Sequence, residues 1–221
     1  MNQEVIGIFR VLVHPRYKRA TLVVMGVMVA QQFCGINSIV MYGVSLLSDV
    51  LASSSATLNV FIALLNLVVT LAFAPLSDRL GRKACLVLSI SGMGTSSLVL
   101  AIAIIKAIPI LSVAAVLTFV GSFGLGLGPV PFILSSELVG PEAVGATQSL
   151  ALAANWSATF VVAQFFPVVN EALGKGKVYF LFAALAAGFL AFVVWFVPET
   201  KGKRDADDVW ERRAIPDRRD D

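Results

Sequence analysis

The chain has 221 residues, of which 57% are hydrophobic and only 14% charged, with a mean hydropathy of +0.85. A soluble domain carries about 25% charged residues, so the composition excludes an ordinary water-soluble globule. The net charge of +3 at pH 7 invites a nucleic-acid reading. The charges nevertheless avoid the apolar runs and gather at a few points, which argues for membrane topology instead.

In chain order, residues 1–19 come first, with Arg10, Arg16, Lys18 and Arg19. They lack the basic start, apolar stretch and small-residue cleavage site of a signal peptide. They are expected to form the cytoplasmic end of a loop. Apolar runs of about 20 residues cross roughly 30 Å of hydrocarbon. Six follow, over residues 20–46, 57–76, 84–105, 110–135, 146–168 and 178–197. Each is predicted to be helical, because a lone span in lipid satisfies its backbone internally only as a helix. Barrel strands would be shorter and would alternate. The predicted fold class is an all-α integral membrane bundle of six helices, followed by a cytoplasmic tail over residues 198–221.

Fourteen of the seventeen basic residues fall on one side of this six-span path. Beyond those before the first span they are Arg79, Arg82 and Lys83, then Lys201, Lys203, Arg204, Arg212, Arg213, Arg218 and Arg219. The positive-inside rule then puts both termini in the cytoplasm, at the plasma or the vacuolar membrane alike. Cys34 and Cys85 are not expected to pair. Cys85 starts its helix at the cytoplasmic end, whereas Cys34 lies about 20 Å deep at 1.5 Å per residue.

The first span contains "QQFCGINSIVMY", residues 31–42. Hydrocarbon penalises amides that have neither a protein partner nor water. Gln31, Gly35, Ser38 and Tyr42 share one helical face, whereas Gln32 and Asn37 lie about 140° apart on a regular helix. For both to reach one ligand the helix must deform between them, and Gly35 is the cheapest place to yield. A single buried amide is more often helix–helix glue. Three within seven residues shift the reading towards a polar cavity. The fourth span repeats the theme with "GSFGLGLGPVPF", four glycines and two prolines over residues 121–132. Proline in a helix interior costs about 3 kcal/mol. Breaks at membrane depth are tolerated where they line a cavity, the alternative being a kink required only for packing. Gly128, Pro129 and Pro131 are the candidate hinge there. Asn66 lies midway along the second span, and Asn155, Trp156 and Gln164 lie in the fifth. The sequon "NWS" at 155–157 is discounted, because the span buries it.

"SDRLGRK", residues 77–83, makes a very short turn between the second and third spans. Glu137 ends the fourth span and Glu199 the sixth. Asp78, Arg79, Arg82, Glu137 and Glu199 are expected to form a charge network at the cytoplasmic mouth, because acidic groups recur where positive charge alone would set topology. The mixed-sign stretch after Lys201 is expected to be solvated, with at most a short helix. No span centre holds an Asp, Glu, Lys, Arg or His, and His14 lies outside the membrane, so these spans show no obvious site for proton coupling, which is left open between facilitator and proton symporter. No metal ligand set or catalytic constellation stands out. Neither a cofactor nor enzyme activity is expected.

"QQFCGIN", "DRLGRK", "GLGPVPF…SSEL" and "PETKG" occur in an order that resembles the C-terminal six-helix half of the sugar porter family of the major facilitator superfamily. The nearest likeness within it is to fungal vacuolar-type hexose transporters. One such motif is weak and four in register are specific; the resemblance runs from about residue 15 to residue 203. The resemblance implies that Gln31, Gln32, Asn37 and Asn66 bind sugar, that Phe132 and Trp156 line its site, and that Tyr42 lies near an outer gate. Amides suit a neutral polyol, since each supplies donors and an acceptor without charge. Three departures stand out. Phe132 replaces a common tryptophan, Gly124 a sugar-contacting glutamate of many glucose carriers, and Val144 an arginine seven residues after the matching glutamate. The last implies a weaker cytoplasmic lock, or one satisfied by other partners.

Family members have about twelve spans that rock as two bundles around a shared site. The expectation is therefore the C-terminal half of a hexose-like sugar porter, a fragment whose partner is the N-terminal six-helix half, in contact with membrane lipid and not with nucleic acid. The rival expectations are a membrane sugar sensor, an inactive fragment and, less favoured, a six-span homodimer.

Overall fold

The computed structural model describes residues 6–48 and 55–211. In chain order its helices are α1 (Ile8–Val13), α2 (Pro15–Phe33), α3 (Ile36–Ser48), α4 (Ser55–Leu80), α5 (Arg82–Ile105), α6 (Pro109–Leu125), α7 (Val130–Glu137), α8 (Pro141–Leu173), α9 (Val178–Phe196) and α10 (Ala206–Val209). Among the described residues, five paths are long and apolar enough to cross a membrane: Pro15–Gly43, Arg82–Ile105, Pro109–Glu137, Pro141–Leu173 and Val178–Phe196. The second predicted span falls on α4, a single 26-residue helix whose described apolar stretch is Val60–Phe73. The Pro15–Gly43 and Pro109–Glu137 paths are each two helices with a break between them.

Helices outrun the apolar limits expected from sequence. The backbone ladder continues through polar residues beyond the hydrocarbon, so helix ends are set by local chemistry. Pro15, Pro109 and Pro141 sit in the first turns of α2, α6 and α8, where the missing N–H costs nothing. His14 adds a cap by accepting the Arg16 amide at 3.2 Å. Residues 8–13, expected as loop, form α1 against the starts of α2 and α8, and the Ile6 amide donates to the Glu142 carbonyl at 3.1 Å.

α5 lies between α6 and α9, α2 runs along α8, and α4 leans on α6. Phe119, Leu86, Ile90, Met93 and Leu100 fill the centre, fully buried. Phe61, Leu71, Phe160 and Trp195 point outward. In lipid such exposure carries no penalty. Both cysteines are buried and free, as expected.

The starts of α2, α5 and α8 and the ends of α4, α7 and α9 gather at one end of the bundle, hereafter the basic end. Part of the segment expected to be solvated docks there. Val209 is buried, Trp210 Nε1 donates to the Leu138 carbonyl at 2.9 Å, and the Arg19 guanidinium lies 4.9 Å from the Trp210 ring centroid. Arg16 pairs with Asp207 at 2.6 Å, and Asp205 caps α10. Mixed charge concealed one apolar pair able to anchor the strap; Arg212, Arg213, Arg218 and Arg219 lie outside the described residues. Trp210→Ala removes that anchor and its hydrogen bond, about 1.5 kcal/mol together. Tryptic cleavage at Lys203 and Arg204 in detergent should accelerate about tenfold, because strap opening becomes that much more frequent.

Candidate functional site

The first break sits between Phe33 and Ile36. Gly35 holds φ at 99°, and the Phe182 ring occupies the space where a Cβ would stand, at 2.9–3.1 Å. Ser38 Oγ steadies the bend by donating to the Gly35 carbonyl at 2.6 Å. The deformation brings Gln32 and Asn37 together, with Asn37 Nδ2 donating to Gln32 Oε1 at 2.5 Å. A regular helix would hold them about 140° apart.

The second break sits between Leu125 and Val130. Pro129 is the N-cap of α7 and Pro131 lies in its first turn. The Gly128 amide reaches back to Phe123 and the Val130 amide to Gly126, each at 2.9 Å, which turns the Leu127 and Gly128 carbonyls out of the helical ladder. Gln31 Nε2 donates to both carbonyls, at 2.8 and 3.0 Å. The two breaks therefore meet through the Gln31 amide.

Asn155, noticed in the fifth span but not assigned to a site, joins them. Its Nδ2 donates to Gln31 Oε1 at 2.6 Å and to the Met28 carbonyl at 3.0 Å. Its Oδ1 accepts from Gln32 Nε2 at 3.2 Å. Gln31, Gln32 and Asn155 are only 4%, 7% and 7% exposed. One amide inside an apolar span is ambiguous by sequence, and only the α2–α8 contact tells glue from cluster. The cluster of Gln31, Gln32, Asn37 and Asn155 is neutral and offers both donors and acceptors, a chemistry matched to hydroxyl groups.

Trp156 follows Asn155 and is 68% exposed; Phe132 lies four residues after Gly128 and is 47% exposed. Asn66 faces α6, where a Cβ on Gly124 would stand 3.2 Å from its Oδ1, and it accepts from Thr70 Oγ1 at 3.4 Å. No hydrogen bond to the amide cluster is seen for Asn66 among the described residues. Tyr42 stacks on Phe166 at 5.0 Å and donates to the Ala163 carbonyl at 2.9 Å.

At the basic end, Arg82 is the hub of the charge cluster. It pairs with Glu137 at 2.7 Å and Asp78 at 2.9 Å, and donates to the Ser77 carbonyl at 3.0 Å. Glu199 accepts the Arg82 and Lys83 amides at 2.9 and 3.2 Å, capping α5. Arg79 enters through its carbonyl, which accepts from Lys201 Nζ. The departure at Val144 leaves Glu137 well served, since Thr200 Oγ1 also donates to it at 2.5 Å. Thr200 is the member of this cluster that the sequence did not single out.

A sequence profile for the family described as "Sugar (and other) transporter" matches residues 5–205. A probable metabolite transport protein of Saccharomyces cerevisiae is 39% identical over 89% of the chain. The facilitated trehalose transporter Tret1 of Bombyx mori is 34% identical over 88%. The chain spans 40% of the length of each of these two relatives. Among solved structures, the proton:xylose symporter XylE bound to 6-bromo-6-deoxy-D-glucose superposes with a TM-score of 0.78 at 25% identity, covering 87% of this chain and 42% of that one. The inward-open xylose transporter XylE from E. coli gives 0.75 at 26% identity, covering 87% and 41%.

Proposed function

The chain belongs to the sugar (and other) transporter family, and from that premise we propose that it is the C-terminal six-helix half of a porter for a neutral, hexose-like sugar. It is an integral, multi-pass membrane protein. The observation that carries the proposal is the meeting of two broken helices through a neutral amide cluster. Unwound segments at membrane depth form the substrate sites of such carriers, and uncharged amides fit hydroxyls better than ions.

In this reading Gln32 and Asn37, with Asn66 and Asn155, exchange their internal hydrogen bonds for sugar hydroxyls. Phe132 and Trp156 cover the apolar face of the ring. Tyr42 belongs to the gate at the far end, and Gly128, Pro129 and Pro131 form the hinge by which α7 moves. Arg82 with Asp78, Glu137 and Glu199, together with Arg79, ties the basic end, which faces the cytoplasm by the positive-inside rule. The N-terminal six-helix half supplies the opposite wall of the site, and rocking of the two bundles gives alternating access.

The test is uptake of labelled trehalose and D-glucose into hexose-transport-deficient cells. The chain is expressed alone, with the N-terminal half of a related porter, and as Gln32→Ala in both settings. Uptake is expected only in the paired sample, and about tenfold lower with Gln32→Ala, the effect of losing one buried hydrogen-bonding partner worth about 1.4 kcal/mol. Uptake by the chain alone would favour a homodimer. No uptake by an inserted pair would overturn the transport reading in favour of a sensor.

A further inference from the structure

A helix that breaks inside a bundle strands backbone N–H groups that the ladder no longer serves. Leu127 lies in the second break, fully buried, and its amide donates to Ser89 Oγ at 2.9 Å. Ser89 is itself fully buried on α5, the helix between α6 and α9. Its hydroxyl proton is directed at Met93 Sδ, 4.0 Å away. The neighbouring Gly126 shows how closely the break is pressed on α5. A Cβ there would collide with the Cys85 carbonyl and stand 2.9 Å from Ser89 Cβ.

The carbonyl of the same residue faces the other way, accepting Gln31 Nε2 at 2.8 Å. Leu127 thus hands α5 its N–H and the amide cluster its C=O. Gln31 has no spare capacity. Nε2 serves the Leu127 and Gly128 carbonyls, and Oε1 accepts from Asn155 and Gln32 at 2.6 and 3.2 Å. A primary amide has two N–H donors and two acceptor lone pairs, so all four positions are used. The two carbonyls also fix which end of the amide is nitrogen. The orientation of Gln31 sets the donors and acceptors that Asn155 and Gln32 present.

We propose that Ser89 is a positioning residue for the sugar site, holding the Leu127 peptide so that its carbonyl orients Gln31 and, through Gln31, the amides that meet the ligand. The proposal rests on the sugar-porter reading. Without the hydroxyl, the Leu127 amide is left unpaired in a dry contact, and the break turns to find another acceptor. Gln31 then loses the carbonyl it reads.

The experiment has two readouts. First, amide hydrogen exchange over residues 123–130 is measured for the chain in nanodiscs. Ser89→Ala should raise exchange at Leu127 at least tenfold. Ser97→Ala should leave it unchanged, because Ser97 Oγ is equally buried on α5 and has no hydrogen-bond partner among the described residues. Second, trehalose and D-glucose affinity is measured for the pair with an N-terminal half. Ser89→Ala should weaken binding threefold or more in the parent and have no further effect in a Gln31→Ala background. That non-additivity is the mark of action through Gln31. Unchanged exchange at Leu127 overturns the proposal. So does an affinity loss that adds in full to that of Gln31→Ala, as a general packing defect would. If the paired parent protein binds neither sugar, the porter reading falls and the positioning role falls with it; the exchange result then still decides whether Ser89 holds the break.

Discussion

Gly35→Ala is expected to abolish sugar uptake by the paired protein, a loss of a hundredfold or more. Two costs add. At φ 99° a residue with a Cβ is strained by about 1–2 kcal/mol. The new methyl would also stand 2.9–3.1 Å from the Phe182 ring. Phe182 is packed between Phe166 and Tyr179, at 6.1 and 5.9 Å between ring centroids, and has little room to retreat. Overpacking of that kind costs typically 1–3 kcal/mol. The cheapest relief is to move Gly35 towards ordinary helical geometry, which separates Gln32 from Asn37 and dismantles the amide cluster. Gly188→Ala in α9 is the control, since a Cβ there meets nothing within 4 Å. It should be neutral or slightly stabilising, by up to about 1 kcal/mol. Uptake and thermal unfolding of the two variants, side by side, check the expectation. Equal behaviour would mean that the bend at Gly35 does not hold the site together.

The second large effect is expected for Arg82→Ala, read as thermal stability in detergent. The guanidinium is mostly covered and binds Glu137 through Nε and Nη2, while Nη1 reaches Asp78 and the Ser77 carbonyl. Removing one partner of a fully buried pair costs about 3–5 kcal/mol. Glu137 keeps 28% side-chain exposure and the Thr200 hydroxyl, while Asp78 is 70% exposed and gains little from pairing. A loss of about 2–3 kcal/mol follows after that discount, or about 5–10 °C in the midpoint of unfolding. Lysine should recover only part of it, because a point charge cannot reproduce the two-pronged contact with Glu137. Arg79→Ala, at an exposed position, should stay within about 0.5 kcal/mol. Equal losses at the two arginines would sink the idea of Arg82 as hub.

The fold class was legible in the sequence because membrane crossing is a demand on length and apolarity, and both are counted along the chain. The breaks were legible for a related reason. Gln32 and Asn37 could meet only if the helix bent at Gly35, and glycine with proline at 126–131 cannot sustain a regular ladder. The joint basic end was legible because charge sidedness is a one-dimensional property. Asn155 was harder. It was visible as an amide in an apolar span, but its partners lie 123–127 residues away in the chain, so nothing local told a packing amide from a member of the cluster.

What the sequence determined alone was therefore whatever a single segment must do for itself: span, break or carry charge. Tertiary structure decided which segments complete one another. It brought Leu127 to Ser89 on one side and to Gln31 on the other. It gave Glu137 to Arg82 and Thr200 where the arginine expected at position 144 is a valine, and it folded Trp210 back onto the Leu138 carbonyl. The physical reason is common to all three. A hydrogen-bonding group taken out of water must find a partner, and the identity of that partner is a fact about packing between helices, which no helix carries in its own sequence.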